Sequence, residues 1–341
     1  MMSVLNELEG LCALDGISGD EGQVREYILS QISDKCEVSV DPLGSIIAFC
    51  KGKKRSGKKL LISAHMDEVG FIVRYITDDG YLKFSPVGGI DPRVVFGKRV
   101  FVGKNKIPGV VGGKVLHHLS GSEKSKAVPF DKLYIDIGAD SKEQALSAVS
   151  LGDSVCFEGG YSDMGELLCA KAIDDRAGCA VMIDLIKEGV EYDTYFTFVV
   201  QEEIGLRGST AAAFTVDPDF AIVLEATTAA DIPASQGDKK VCQLSKGAVV
   251  TFMDRHTMYD KELYALAFDI GREMNIPVQT KTMVAGGNDA GAIHKTRGGV
   301  RTAAVSVPCR YLHSPVCVID KNDLVSVGRL TRELSKRIME L

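Results

Sequence analysis

The segment LLISAHMDEVGF (residues 60–71) decides how the rest of the chain reads. An apolar run with the character of a buried strand delivers His65 and Asp67 two residues apart. By itself a His-x-Asp is weak, because a histidine after a strand is more often a loop or core residue than a ligand. Its surroundings give it weight.

Upstream, Leu5, Leu8, Leu11 and Cys12 mark one amphipathic helix. Val24, Tyr27, Ile28 and Ile32 mark a second, entered through GISGDEGQ (16–23) with Ser18 or Asp20 as its expected cap. Two strand-like runs, SIIAF (45–49) and KLLIS (59–63), follow, and the basic cluster KGKKRSGKK (51–59) between them reads as a solvated hairpin. Beyond about residue 70 helical periodicity nearly vanishes. FIVRYI (71–76), YLKFSPV (81–87), RVFVG (99–103), GVVGGKV (109–115) and SVCFEG (154–159) are short and punctuated by glycine and proline, the spacing of a small barrel. DSKEQALSAV (140–149) is the clear helix among them.

From Ala170 onward strands and helices alternate. CAVMIDLIKEG (179–189) and KELYALAFDIGREM (261–274) read as helices, TYFTFVV (194–200), FAIVLEA (220–226) and VRTAAVSV (300–307) as strands, and DLVSVGRLTRELSKRIMEL (323–341) as the closing helix. The pattern predicts an α/β catalytic domain of residues 1–69 and 165–341, interrupted by an all-β insertion of residues 70–164.

Composition narrows the function. The 341 residues suit two domains, and 45% hydrophobic with 25% charged residues is enough for a packed core. A net charge of -6 offers nucleic acid no basic face. Nine cysteines, an odd number with no Cys-x-x-Cys pair, predict reduced, buried thiols in a cytoplasmic protein. The start, MMSVLNELEGLCALDG, lacks the basic and apolar character of a signal peptide, and no run is long enough to span a membrane.

In open α/β sheets ligands bind beyond the carboxyl ends of the strands. Four predicted strands here run out to metal-competent groups: His65 with Asp67, Glu202 with Glu203, Glu225, and His313. A fifth cluster, Asp174 and Asp175, opens an apolar helix, where carboxylates are favoured anyway. Each of these taken singly is explained by capping or a solvated strand end. Jointly, two histidines and several carboxylates at one sheet edge suit zinc, cobalt or manganese, and there are enough of them for two ions if one carboxylate bridges.

Together SAHMDEVGF (63–71), KAIDDRAGCA (171–180), VVQEEIGLRGS (199–209), GGNDAGAIH (286–294) and RYLHSP (310–315) closely resemble the glutamyl and tetrahedral (TET) aminopeptidases. These are dinuclear metallopeptidases, some described as cellulase M or endoglucanase. The resemblance spans essentially the whole chain. It implies a phosphorylase/hydrolase-like mixed sheet with helices on both faces, interrupted by a small β-barrel-like insertion that mediates dimerisation. It further implies removal of N-terminal residues from short peptides by a cytoplasmic homo-oligomer, dimers assembling to a tetrahedral dodecamer, with two divalent ions per subunit, zinc foremost and cobalt or manganese as alternatives. Nucleic acid and membrane are not expected partners.

Carried over by position, His65 and Glu225 bind one metal, Glu203 and His313 the other, and Asp174 bridges. Asp67 orients the imidazole of His65 and Glu202 is the general base. The Asp174–Asp175 peptide is expected to be cis. Glu225 departs from the family, in which aspartate is usual, and the extra methylene bears on the affinity of that metal position. Asn288 and Asp289 lie near the site, His294 is structural, and His117, His118 and His256 are loop or interface residues. Two other functions compete: an endoglucanase-type glycoside hydrolase using paired carboxylates such as Glu202 and Asp67, and a catalytically silent metal-binding homologue. The histidines and the absence of tryptophan speak against the first.

Overall fold

The computed structural model describes residues 2–118, 120–121 and 126–341. Its first strands are β1 (Glu37–Val40), β2 (Ile46–Cys50) and β3 (Leu60–His65). The next six, β4 (Gly70–Ile76), β5 (Leu82–Val87), β6 (Arg99–Val102), β7 (Ile107–Gly112), β8 (Tyr134–Asp136) and β9 (Ser154–Phe157), close into a barrel in the order β4-β5-β8-β7-β6-β9. After β10 (Ser162–Met164) and β11 (Leu167–Ala170) come β12 (Thr194–Val199), β13 (Phe220–Thr228), β14 (Ala248–Val250), β15 (Val278–Thr280), β16 (Arg301–Cys309) and β17 (Cys317–Asp320).

The main sheet has eight strands in the order β1-β2-β12-β3-β13-β16-β14-β15. Its centre, β12, β3, β13 and β16, is parallel, and β2 and β14 join antiparallel. Continuous apolar runs put these strands there, since a strand covered on both faces must be apolar at every position. Every residue of β3 is buried. Its side chains alternate: Leu60, Ile62 and Ala64 enter one core and Leu61 the other.

The helices are α1 (Met2–Cys12), α2 (Gly22–Ile32), α3 (Lys142–Ala148), α4 (Ile173–Glu188), α5 (Arg207–Val216), α6 (Lys261–Glu273), α7 (Ala290–Ile293) and α8 (Lys321–Ile338). The larger core takes side chains from α1, α2, α4, α6 and α8, and the opposite face of the sheet is covered by α5 and α7. In α8 the buried Leu324, Val327, Leu330, Leu334 and Ile338 recur every three or four residues, so one stripe faces the sheet. The mixed sheet, helices on both faces and the barrel agree with the α/β class expected.

Five details differ from the sequence reading. The basic segment 51–59 is not a hairpin turn, because β12 lies between β2 and β3 in the sheet. Neither Ser18 nor Asp20 caps α2; Glu21 stands at that position without a side-chain capping bond. The Ser18 hydroxyl instead donates to Asp67 (2.6 Å), and Asp20 accepts from Ser154 in the barrel (2.6 Å). Helix α5 is formed by RGSTAAAFTV, whose small residues carry little periodic signal but pack closely on β12. Strand β10, at the end of the span assigned to the insertion, pairs with β11 and through it with β17, outside the barrel. Finally, Cys36 and Cys50 are joined by a disulfide, leaving seven free thiols rather than nine. The β1–β2 register places these two opposite each other with Cα atoms 4.8 Å apart, a cross-strand proximity that spacing in sequence does not reveal.

The barrel has its own core, centred on Phe71, which meets Phe84 and Phe157 edge-on at 4.9 and 5.1 Å between ring centroids. Phe71→Ala is therefore expected to cost about 3–5 kcal/mol of stability through the cavity it opens. Urea unfolding checks this, and a loss below about 1 kcal/mol contradicts a packed barrel core.

Candidate metal centre and active site

His65 is the last residue of β3, and the chain then turns towards the barrel. Its Nδ1 lies 3.1 Å from the Asp67 carbonyl oxygen and 3.4 Å from the Asp67 carboxylate. That carboxylate is fully buried and is held by three donors: the Ser18 hydroxyl, the Glu202 N–H (3.0 Å) and the Glu203 N–H (3.2 Å). One side chain thus ties the end of β3 to the turn after β12. Burial works against the Asp67 charge, but His65 and these donors outweigh it and lower its pKa.

Asp174 enters from the irregular first turn of α4, where Asp174 and Asp175 have non-helical angles and share a cis peptide bond. Glu225 comes from inside β13, in the part that runs on beyond its pairing with β3. His313 follows β16 with a left-handed backbone (φ 56°), and its Nδ1 donates to the Gly89 carbonyl of the barrel (2.7 Å). Gly88 beside it, at φ 84°, leaves no room for a Cβ, which would lie 2.7 Å from Val69 and 3.2 Å from Glu203.

These elements converge. The Nε2 of His65 is 3.3 Å from Asp174 and 3.4 Å from Glu225, and the Nε2 of His313 is 3.5 Å from both Asp174 and Glu203. Two triads result, His65–Asp174–Glu225 and Asp174–Glu203–His313, each with its donor atoms within 4.8 Å of one another and with Asp174 in common. Glu202 also reaches the site, forming a third such group with His65 and Glu203. A further cluster, Asp15–Glu68–Cys156, is neutralised by Lys171, whose ammonium is 2.6 Å from Glu68 and 3.5 Å from Asp15.

The electrostatics fit divalent cations. Burial first, and then crowding by neighbouring carboxylates, pushes Glu225 and Glu202 well above the usual carboxylate range and Glu203 to about 7, with His65 or His313 opposing. Burial disfavours charge on the two imidazoles, yet the carboxylates around them hold His65 well above its ordinary value and His313 near 10. Imidazole and carboxylate donors without thiolate match zinc, cobalt or manganese.

The triads floor an open cleft of about 770 Å³. Its walls hold Asn288, Thr227, Thr251 and Lys281, and also His256, a loop residue for which no motif predicts a place at the site. Lys281 and the threonines belong to no motif, and only the order of strands brings them to the cleft. Asn288 accepts from Tyr259 and from the Ala290 N–H. Asp289 is buried beside the site, its pKa pushed up to about 6. His294 is 2.6 Å from the Ala290 carbonyl within α7, and His117 and His118 are exposed.

The sequence model of the M42 glutamyl aminopeptidases matches residues 44–330. The chain belongs to this family. Membership places it among peptide hydrolases. A protein of Acetivibrio thermocellus is 40% identical over 98% of both chains, and the lysyl aminopeptidase of Pyrococcus furiosus is 32% identical over 95% of this chain and 94% of its own. Among solved structures, the TET aminopeptidase of the marine sediment archaeon Thaumarchaeota archaeon SCGC AB-539-E09 superposes with a TM-score of 0.94 at 33% identity, covering 98% of this chain and 96% of the other.

Glu21 supports the turn that carries Glu202 and Glu203. Its carboxylate accepts from the Gly19 N–H (2.7 Å) and the Gln201 N–H (3.2 Å), and burial beside Asp67 pushes its pKa up to about 7. The folded protein keeps this proton where the unfolded chain has lost it. The contribution to stability is therefore full below the unfolded value of about 4.5 and is lost as pH rises through about 7. Glu21→Gln keeps both acceptor bonds but has no proton to lose. Between pH 5 and 8 the metal-free wild type is expected to lose on the order of 2–3 kcal/mol relative to this variant in urea unfolding; parallel pH profiles contradict the assignment.

Proposed function

We propose that the protein is a metal-dependent aminopeptidase that removes the N-terminal residue of short peptides. The observation that carries this reading is the pair of ligand triads sharing Asp174, with Glu202 beside them, in a chain of the M42 family. His65 and Glu225 would hold one divalent cation, Glu203 and His313 the second, and Asp174 both. Zinc is the first choice, with cobalt or manganese as alternatives. Two cations so held supply Lewis acidity to the peptide carbonyl and to the attacking water.

The chain's own groups do the rest. Glu202, a carboxylate made more basic by burial, takes a proton from the water as its oxygen adds to the carbonyl carbon. The same carboxyl returns that proton to the amine nitrogen as the C–N bond breaks. Asp67 fixes the ring of His65 and, through the Glu202 and Glu203 N–H groups, the position of both glutamates. The carboxylate-rich floor attracts a free α-ammonium, which favours chain ends over internal bonds. Apolar side chains exposed on the barrel, among them Ile72, Phe96 and Val110, support dimerisation through the insertion, and solved TET relatives described as a dodecamer and as assembling into a tetrahedron or a large octahedral shell support assembly of dimers into a tetrahedral dodecamer. A cytoplasmic location belongs to the same reading.

A glycoside hydrolase has no use for two imidazoles converging on shared carboxylates, so the site favours the peptidase. Glu202→Gln is expected to lower kcat by roughly 10²–10⁴-fold while metal content is retained. Asp174→Asn is expected to lose metal as well as activity, read by elemental analysis, and chelation to abolish activity until zinc or cobalt is returned. Activity that survives chelation sinks the reading. Metal-loaded, folded protein that releases no amino acid from any short peptide supports a silent metal-binding homologue instead, with Glu225→Asp as the reversion to try.

A further inference from the structure

The proposed peptidase reading uses the acidic floor of the cleft and leaves its wall without a role. GGNDAGAIH (286–294) supplies part of that wall through Asn288.

Two loops interlock to build it. The Arg255 N–H donates to the Gly286 carbonyl (3.0 Å), and the His256 ring lies so close over Gly287 that a Cβ there would be 2.1 Å from its Cδ2. Asp254 fixes the first loop by accepting from the His256 and Thr257 N–H groups, both at 2.7 Å, and from the Tyr259 hydroxyl at 2.6 Å. On its other side the motif packs against the turn that carries the glutamates. A Cβ on Gly291 would be 3.2 Å from Leu206, whose N–H donates to the Glu202 carbonyl (3.0 Å). Asn288 and Glu202 are thereby held on one cleft.

The bonds of Asn288 decide which way its amide faces. A backbone N–H can only donate, so the atom that Ala290 meets at 2.9 Å is the carbonyl oxygen Oδ1, and the Tyr259 hydroxyl meets the same oxygen at 3.2 Å. The amide nitrogen is left with two N–H donors and no protein partner among the described residues. It is not sealed in the interior, since Asn288, 7% exposed, lines the cleft. Lys281 and His256, the other described cleft residues outside the triads with side-chain N–H groups, are placed differently. The Lys281 ammonium sits on the Ala285 carbonyl (3.0 Å), and the His256 ring is exposed with no bond to hold its orientation.

Chemistry says what a fixed donor is for. Addition of water to the scissile carbonyl moves negative charge onto its oxygen, above a floor that carries Asp174, Glu202, Glu203 and Glu225. An N–H held in place beforehand answers that charge without reorganising during the reaction. We propose that Asn288 is a further catalytic residue, its amide nitrogen donating to the carbonyl oxygen of the scissile peptide. This rests on the aminopeptidase reading. The donor reads the peptide group rather than the side chain, so its loss is felt equally whatever the first residue.

The test compares metal-loaded wild type, Asn288→Asp and Asn288→Ala on aminoacyl-p-nitroanilides and on the matching dipeptides, with metal content measured throughout. Asn288→Asp keeps an oxygen for Ala290 and Tyr259 but replaces the donor by an acceptor, and Asn288→Ala removes the donor without adding charge. In both, kcat is expected to fall roughly 10- to 100-fold, the worth of one hydrogen bond to a charged group, with KM little changed. The factor is the same for every substrate the wild type cleaves, and metal content is unchanged. An Asn288→Asp variant with kcat within about twofold of the wild type overturns the proposal, because a residue that only ties its loop to Ala290 gives that result. So does a loss confined to the dipeptides, which places the donor on the second carbonyl that p-nitroanilides lack, or one that saturating metal restores. If the wild type cleaves no substrate, the peptidase reading is lost, and calorimetry with a phosphinic dipeptide analogue still decides. The donor role stands on binding that weakens roughly tenfold or more in both variants, and falls without it.

Discussion

The buried carboxylate of Asp67 is the constraint on which the candidate site depends. It is charged, has no access to solvent and is satisfied only because three donors from two distant segments converge on it. An uncompensated buried charge is costly, so the end of β3, the N-terminal loop at Ser18 and the turn after β12 must keep their relative positions for the fold to hold. That requirement places His65, Glu202 and Glu203 together before any ligand arrives.

A second requirement works against the first. Burial and the crowding of Asp174, Glu202, Glu203 and Glu225 raise the pKa of the three glutamates, while His313 and His65 outweigh burial at Asp174 and lower its own; like charges so arranged oppose folding. The surrounding core holds them there. Every residue of β3 is buried, β13 is buried up to its last residue, and α4 covers the sheet with an almost continuous apolar surface. Stability gained in that core offsets the strain of an acidic site made for cations, a distribution expected where function and local stability conflict.

The barrel is joined to this arrangement at several points. Gly89 supplies the carbonyl that accepts from His313, and Asp20 accepts from Ser154. Beneath the site, Glu68 is held by Lys171 and by the Gly16 N–H, while Lys106 in the β6–β7 turn pairs with Asp15 at 2.9 Å. Glu68 immediately follows Asp67 in sequence. The same short link between β3 and β4 therefore carries both the site's central carboxylate and the anchor of the barrel junction, so the barrel and the candidate site share one piece of backbone.

Much of this is legible in the sequence because it is local. Unbroken apolar runs mark the central strands, a three-to-four-residue period marks α8, and polar residues where strands run out mark His65, Glu202, Glu203 and His313. Helix α5 is not legible because its buried stripe, Gly208, Ser209, Ala212, Ala213 and Val216, is made of small residues that contrast little with Ala211 and Phe214 beside them, and Ser18 and Asp20 do not cap α2 because their side chains answer to distant partners. The sequence by itself determined which residues can bind metal and which strands are buried, since those follow from side-chain chemistry and period. Only the tertiary structure decided that Cys36 meets Cys50 and that Lys281 and His256 line the same cleft as His65. These depend on strand order and cross-strand register, which arise from long-range pairing that no local pattern encodes.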